Sequence, residues 1–374
     1  MFRPLLVLVV SLAAGAAFAV AATHKPPVRS SSTAVNSEAY RGAIVIDAAT
    51  GQVLFEDRAD VQSPPASVTK LMTFLIVEEK IKRGELKLDA PVTVTAEASH
   101  TGGSRVWLVD KESITVEDLL YALMVQSAND AAVALADHIC GSKEAFVDIM
   151  NIKARELGLH NTVYHSPHGL PPELRKGQES DLSTARDLAM LARKLIAETD
   201  VLKYSATRHR DFRHQNGKVI SMDNHDHLLS AVPGCDGLKT GYYREAGYSI
   251  AATAMRGGRR VIAVVLGSPS GNGRQPWGLR DTVTTQLIER GFAALPPPVA
   301  AAAPVAQAPI SGAAAPAAAA VTKPATPVPP AAATPDDANA PRLIPVESGE
   351  PAPAANPASP QEPSVHLDTS GKRK

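Results

Sequence analysis

A serine and a lysine lie three residues apart in the stretch from Pro65 to Thr73. On a helix, Ser67 and Lys70 would share one face one turn apart, so that an amine stands beside a hydroxyl. A serine hydroxyl becomes a good nucleophile when a neighbouring base takes its proton, and a lysine can be that base when burial or nearby cations lower its pKa. The same spacing also fits an N-capping serine followed by a solvated lysine. The pair alone therefore leaves catalysis and helix capping both open.

Two further short polar motifs follow along the chain. Ser127-Ala128-Asn129 lies between two apolar helical runs, and Lys239-Thr240-Gly241 opens a strand-like run. A Ser-x-Asn pattern recurs at 270–272, which shows that one motif by itself is weak, but that copy follows Lys-Thr-Gly and breaks the order. The ordered set, on a helix start, an interhelical loop and the head of a strand, indicates an active site assembled from three elements.

The elements that must position these motifs can be predicted from periodicity and turn signals. The apolar run after the first motif continues to Lys80 and predicts a buried central helix. Residues 42–56 predict a β-hairpin, and residues 236–241, 248–254 and 260–267 predict later strands, with a closing helix at 281–292. The middle of the chain is predicted to be all-helical. Strands at both ends with helices between them imply an α+β fold whose terminal strands share one sheet.

These motifs resemble those of the D-alanyl-D-alanine carboxypeptidases, low-molecular-mass penicillin-binding proteins that share them with serine β-lactamases. The stretches 126–132, 165–171, 183–187 and 233–242 are similar to that family as well. The similarity covers about residues 39–292. It implies a β-lactamase/transpeptidase-like fold, in which an antiparallel sheet is flanked by helices and an all-helical lobe is added.

The resemblance implies a role for each motif residue. Ser67 would attack the carbonyl between two D-alanines of a peptidoglycan stem peptide, Lys70 would be the general base, and Ser127 would relay a proton to the leaving nitrogen. The implied oxyanion hole consists of the amides of Ser67 and Tyr242. β-Lactams would be covalent inhibitors, and neither a cofactor nor a metal is expected. The residues implied in substrate binding are Asn129, Lys239, Thr240 and Gly241.

Other functions remain open beside a carboxypeptidase. A D,D-endopeptidase would cleave cross-links between stem peptides, a β-lactamase would hydrolyse penicillins quickly, and a non-catalytic module would bind the wall or sense β-lactams. The chain also departs from the commonest carboxypeptidase pattern, because a proline- and alanine-rich segment stands where a β-rich domain and a membrane-binding helix are usual. Stable membrane attachment is therefore not expected.

Composition divides the chain into four predicted segments. Residues 1–22 have Arg3 before an apolar, alanine-rich run and predict a secretory signal peptide. Residues 23–38 predict a polar linker, residues 39–293 the catalytic domain, and residues 294–374 a disordered tail with hardly any large apolar or aromatic residues. The predicted location is outside the cytoplasm, in the periplasm or at the cell wall.

The charge balance gives no support for nucleic-acid binding, because 38 basic residues match 38 acidic ones. Four histidines cluster in one segment with a His-x-His spacing that metal sites use, but no carboxylate or cysteine set completes such a site. We therefore expect solvated surface histidines at His209, His214, His225 and His227.

The remaining candidate residues favour structural roles. Aromatic residues make up only 4% of the chain, so Trp107 and Trp277 are predicted to pack rather than to stack on sugars. Cys140 and Cys235 are predicted to be two small buried residues rather than a disulfide. Glu156 resembles the deacylating glutamate of class A β-lactamases with a one-residue mismatch, and we expect it on the surface.

Overall fold

A five-stranded antiparallel sheet forms the central layer of the fold. The computed structural model describes residues 37–170, 179–271 and 275–296. The strands are β1 (Gly42–Asp47), β2 (Val53–Asp57), β3 (Pro91–Thr93), β4 (Ser113–Thr115), β5 (His209–Arg213), β6 (Val219–Asp223), β7 (Cys235–Tyr243), β8 (Gly247–Arg256) and β9 (Arg259–Ser268). The large sheet has the order β2-β1-β9-β8-β7, and β3-β4 and β5-β6 form separate two-stranded pairs. The two ends of the domain therefore share one sheet, as predicted.

Helices cover this sheet and build a second lobe. They are α1 (Lys70–Lys82), α2 (Ala96–His100), α3 (Val116–Met124), α4 (Asn129–Cys140), α5 (Lys143–Glu156), α6 (Ala185–Glu198), α7 (Val201–Ser205), α8 (Leu228–Ala231) and α9 (Gly278–Ala294). Short 3₁₀ turns occupy Ser37–Ala39 and Ala66–Thr69. The predicted all-helical middle of the chain is confirmed in the main, with two short strand pairs inserted.

The sheet is buried on both faces because its apolar residues alternate between two cores. In β9, Ile262 and Val264 face the core that contains α1, whereas Val261 and Ala263 face the core that contains α9. Side chains point to opposite faces at every second residue, so a continuous apolar run fills both cores at once. This explains why the sequences of β8 and β9 are long runs of hydrophobic residues.

Helix α1 is the buried centre of the structure. Its residues from Lys70 to Glu78 are all buried, and the helix contacts α3, α4, α5 and α6. A helix that is apolar all round needs such an environment, so the predicted central helix is confirmed. The α-helix begins at Lys70, and Ser67 lies in the 3₁₀ turn before it.

Local capping residues set several helix ends. The Thr115 side chain accepts a hydrogen bond from the Asp118 amide at 3.1 Å, as the predicted cap requires. Thr184 caps α6 in the same way, and Gly141 ends α4 with φ of 79°. Strand β5 and the short helices α2, α7 and α8 were not predicted, because such brief segments carry little periodicity.

The predicted signal peptide and almost all of the predicted linker and tail lie outside the described residues. Within the described ranges, no helix is both long and apolar enough to cross a bilayer. Helix α9 continues one residue past the predicted domain end, to Ala294.

Candidate active site

Ser67 lies in a strained turn, and two glycines allow neighbouring segments to pack closely against that turn. Ala66 has φ of 50°, and a Cβ built on Gly169 would lie 2.0 Å from the Ala66 carbonyl oxygen. A Cβ on Gly241 would lie 2.5 Å from the Pro65 carbonyl oxygen and 3.0 Å from the Ser67 amide nitrogen. Only glycine permits such an approach of two backbones. Strand β7 therefore lies directly against the turn that carries the serine.

Lys70 is buried beside Ser67 and makes three short polar contacts. Its side chain is 0% exposed, and Nζ lies 2.9 Å from Ser67 Oγ, 2.6 Å from Asn129 Oδ1 and 2.7 Å from the His168 carbonyl oxygen. As a neutral amine it can donate two hydrogen bonds to the amide and carbonyl oxygens and accept the serine proton with its lone pair. The arrangement therefore suits a base that deprotonates Ser67.

The electrostatic surroundings of Lys70 favour the neutral amine. Burial, followed by the positive charge of Lys239, holds the pKa of Lys70 well below its usual value. The negative charges of Asp181 and Asp130 oppose this shift without cancelling it. A lysine with a depressed pKa can accept a proton at neutral pH.

The second motif reaches the same place from the start of α4. Asn129 donates through Nδ2 to the Gly102 carbonyl at 2.8 Å, and its backbone amide donates to the Ser104 carbonyl at 2.8 Å. These contacts fix the amide group whose oxygen accepts from Lys70. Ser127 is 3% exposed with φ of 59°, and it lines the cleft beside Ser67.

The third motif lies on β7, the edge strand of the sheet. Lys239 is 2% exposed, and its Nζ donates to the Thr240 carbonyl at 2.9 Å. Burial lowers the pKa of Lys239 to about 7, with the charge of Asp226 raising it and that of Arg280 lowering it. Thr240 and Gly241 line the cleft opposite Ser127.

The three motifs enclose a cleft of about 410 Å³. Arg280, at the start of α9, is 3% exposed and contributes a second cation; its Nε lies 2.8 Å from Asp281 Oδ1. Two aromatic stacks line the same cleft: Tyr242 on Tyr248, with ring centroids 4.1 Å apart, and His227 on Trp277, at 4.6 Å. Ser67, the Arg280 guanidinium and aromatic rings thus line one cleft, and the buried Lys70 amine contacts Ser67.

Asp181 is a buried carboxylate that ties the serine turn to the segment carrying the His168 carbonyl. Its oxygens accept hydrogen bonds from Thr69 Oγ1 at 2.8 Å, from the His165 amide at 2.7 Å, and from the amide and Oγ of Ser166. One side chain therefore aligns the residue before Lys70 with one of the acceptors of Lys70.

Comparison with known proteins agrees with this geometry. The family described as D-alanyl-D-alanine carboxypeptidase (Peptidase_S11) matches residues 27–270. This chain belongs to that family. The fold class, the family and the enzyme class predicted from the sequence are confirmed.

Individual relatives support the assignment. The D-alanyl-D-alanine carboxypeptidase DacC of Escherichia coli is 37% identical over 289 residues, which cover 73% of this chain and 70% of that protein. The DacF protein of Bacillus subtilis is 38% identical over 228 residues, covering 61% of this chain and 57% of its own length. The structure of penicillin-binding protein D2 from Listeria monocytogenes in its ampicillin-bound form superposes with a TM-score of 0.59 at 32% identity, covering 68% of this chain and 98% of that one.

All predicted motif residues of this family member meet at the cleft or directly behind it, but several other residues there were not predicted as site residues. Arg280 lies in a helix that showed only amphipathic spacing, and Asp181 stands in a polar stretch without a distinctive pattern. The His-x-His spacing did mark the segment that forms one wall of the cleft. The cleft residues that were not predicted as site residues are Ser104, Asp223, Asn224, His225, His227, Tyr248, Trp277 and Arg280.

Some structural expectations were wrong. His214 is not a surface histidine, because it is 4% exposed. Trp107 is 46% exposed, and Trp277 lines the cleft instead of serving only in packing. Cys140 and Cys235 are unpaired, as expected, but both are only half-buried.

Glu156 lies on the surface, as predicted, with Lys153 at 2.8 Å. Among the described residues, no cluster of three or more histidine, cysteine, aspartate or glutamate side chains is arranged to hold a metal ion.

Proposed function

We propose that this protein removes the terminal D-alanine from peptidoglycan stem pentapeptides through an acyl-enzyme on Ser67. The observation that carries the proposal is the contact of the buried Lys70 amine with Ser67 Oγ at 2.9 Å. In acylation, Lys70 takes the serine proton as Oγ attacks the carbonyl of the penultimate residue, and D-alanine leaves with a proton relayed by Ser127. Water then hydrolyses the ester and frees the shortened peptide.

The cations Lys239 and Arg280 support an exopeptidase. A free terminal carboxylate suits Lys239, Thr240 and Arg280, since charge-assisted hydrogen bonds to a carboxylate are the strong ones. Asn129 would hydrogen-bond the substrate amide, and Gly241 leaves room for the substrate backbone along β7. The amides of Ser67 and Tyr242 would form the oxyanion hole, where losing one donor typically costs about 2.7–4 kcal/mol.

The same residues would react with β-lactams. The lactam carbonyl takes the place of the peptide carbonyl, and the ring carboxylate takes the place of the terminal carboxylate. The ampicillin-bound Listeria relative supports a stable acyl-enzyme of this kind here. The substrate is accordingly peptidoglycan, and β-lactams act as covalent inhibitors.

The location and segment boundaries form part of the proposal. Residues 1–22 would direct export to the periplasm or cell wall, and residues 39–293 would form the catalytic domain, which a proline- and alanine-rich segment follows. The Arg3 and alanine-rich pattern at the start and the proline and alanine content at the end support these assignments.

The test is to incubate the purified chain, without residues 1–22, with a stem pentapeptide, a cross-linked muropeptide and a chromogenic cephalosporin. We expect free D-alanine from the pentapeptide and slow or no turnover of the other two. Cleavage of the muropeptide without D-alanine release would establish an endopeptidase instead. Rapid cephalosporin hydrolysis would establish a β-lactamase. Labelling of Ser67→Ala by penicillin would show that another residue is the nucleophile.

A further inference from the structure

A buried acid and histidine pair lies outside the cleft, behind the loop that forms one of its walls. His214, between β5 and β6, places Nδ1 at 2.7 Å and 3.0 Å from the two carboxylate oxygens of Glu112. Its Nε2 lies 2.9 Å from the Val106 carbonyl oxygen. The side chains of His214 and Glu112 are 1% and 6% exposed. Burying two ionisable groups is costly unless their polar atoms are paired, so this arrangement calls for an explanation.

The hydrogen-bond chemistry sets the number of protons in the pair. The Val106 carbonyl oxygen only accepts, so Nε2 must carry one proton, and a second proton must lie between Nδ1 and the Glu112 carboxyl group, because otherwise two lone pairs would face each other. An ordinary imidazole is more basic than an ordinary carboxyl group, which favours placing that second proton on Nδ1. Both contacts are satisfied when His214 carries both ring protons and faces an ionised Glu112. The Phe212 ring packs edge-on at 5.1 Å, and Glu112 is the titratable side chain in contact with the imidazole.

The pair is connected to the catalytic residues by a short series of hydrogen bonds. The Val106 amide donates to the Asp130 carboxylate at 3.2 Å, and the Leu108 amide donates to it at 3.1 Å. Asp130 follows Asn129 directly at the start of α4, and the Asn129 amide donates to the Ser104 carbonyl. The loop therefore lies between the His214 contact and the helix start that presents Asn129 to Lys70.

A second contact holds the other end of the same loop. The Gln215 side-chain oxygen accepts a hydrogen bond from the Ser113 amide at 3.1 Å. Two residues at the tip of the β5–β6 hairpin, His214 and Gln215, thus form hydrogen bonds with the segment 106–113. Displacement of the hairpin tip would release the loop that carries Ser104 and adjoins Asn129.

We propose that the His214–Glu112 ion pair is a positioning device that holds the 104–113 loop, and through Asp130 holds Asn129 and Ser127, in the geometry required for acylation of Ser67. The device rests on the proposed function of those motif residues. His214 and Glu112 touch neither substrate nor reacting atoms, so they act through the loop. Small displacements of positioned groups can lower rates by about a hundredfold, which makes a remote pair of this kind consequential.

The sharpest test compares two substitutions of Glu112. In Glu112→Gln, the new amide can donate to Nδ1 of a neutral ring whose Nε2–H still donates to Val106, so the contacts survive with one proton fewer. In Glu112→Ala, the Nδ1 contact is lost. Arg213→Gln, at an exposed position on the same hairpin, is the matched control.

Two measurements are made on the purified chain: the ring ¹⁵N signals of His214 at neutral pH, and the second-order rate of acylation by penicillin. We expect both ring nitrogens protonated in the unsubstituted protein and one in Glu112→Gln. Acylation should stay within about threefold for Glu112→Gln and Arg213→Gln and fall by about tenfold or more for Glu112→Ala. Thermal unfolding verifies that each variant is folded.

A singly protonated His214 in the unsubstituted protein would overturn the ion pair, and a folded Glu112→Ala that acylates at the unsubstituted rate would overturn the positioning role. If Glu112→Ala does not fold, a tenfold loss in Glu112→Gln would likewise contradict the proposal. The ring signals do not depend on the identity of the nucleophile. Failure of this inference is therefore distinguishable from failure of the Ser67 assignment, which the penicillin labelling of Ser67→Ala tests.

Discussion

Lys70 Nζ lies 2.9 Å from Ser67 Oγ, and the amine is completely buried. The contact joins residues one turn apart, but the ability of the amine to accept the serine proton depends on its other two hydrogen-bond partners. Asn129 Oδ1 and the His168 carbonyl both accept from Nζ, so a neutral amine can donate to these two oxygens and keep its lone pair for the serine proton. The following predictions start from this relationship.

Replacing Lys70 with alanine removes the base and should lower the rate of acylation by penicillin by about 10²- to 10⁴-fold, the usual contribution of general-base catalysis. Stopped-flow or gel-based labelling with a fluorescent penicillin measures the rate. Lys82→Ala, at the exposed end of the same helix, is the control and should label normally. Undiminished labelling of Lys70→Ala would assign the base to another group.

Asp226→Asn should weaken substrate binding near neutral pH. Asp226 is buried, and its negative charge raises the pKa of Lys239, which is about 7. Without that charge the pKa falls, and a fall of about one unit would reduce the protonated fraction at pH 7 from about half to about a tenth. We expect KM for the pentapeptide to rise about fivefold at pH 7 and to converge with the unsubstituted value at lower pH.

A KM profile against pH checks the effect of Asp226→Asn, with the exposed Asp110→Asn as control. An unchanged profile would show that Lys239 does not bind the carboxylate as a cation.

Lys239 should also shape the dependence of stability on pH. Its pKa is about 7 in the folded protein and near the ordinary 10.5 when unfolded, so between these values the unfolded chain binds more protons. Its contribution to the free energy of unfolding therefore increases as pH rises from about 7 toward 10.5. Urea titrations over that range should show a smaller increase, or a steeper decline, for Lys239→Met than for the exposed control Lys87→Met. Parallel curves for the two variants would contradict the depressed pKa.

Gly241→Ala should separate β7 from the serine turn. The added Cβ would lie 2.5 Å from the Pro65 carbonyl oxygen, and moving the backbone to relieve this contact would cost free energy. We expect about a hundredfold loss in the acylation rate, since a misplacement of about 1 Å in the cleft can cost that much. Gly278→Ala meets nothing closer than 3.7 Å and should acylate normally. Equal rates for the two variants would show that β7 is free to move back.

Asp181→Ala should destabilise the fold as well as the site. It leaves the buried Thr69 hydroxyl and the part-buried donors of His165 and Ser166 without their acceptor, and each unpaired buried group costs about 1–3 kcal/mol. We expect the free energy of unfolding to fall by about 3 kcal/mol or more, measured by urea denaturation. Asp89→Ala, at an exposed position, should change it little. A loss below about 1 kcal/mol would show that water replaces the carboxylate.

The sequence allowed much of the fold to be predicted where the signal is local. The unbroken apolar runs of β8 and β9, the apolar length of α1 and the Thr115 cap each express interactions among residues close together in the chain. The start of α1 was less well predicted, because the 3₁₀ turn of Ala66–Thr69 depends on contacts with Gly169 and Gly241. Short elements such as β5 were missed because brief segments carry little periodicity.

The amino-acid sequence shows which reactive groups are present, their order, and the kind of element on which each one lies. The contacts, the burial and the pKa of those groups depend on the tertiary structure. Residues 59 and 98 positions from Lys70 supply its two other contacts, and burial, followed by the charge of Lys239, lowers its pKa. Arg280, Asp181 and the His214–Glu112 pair have no local pattern that would mark them. Periodicity and capping act between chain neighbours, whereas desolvation and charge coupling arise only when distant segments pack together and exclude water.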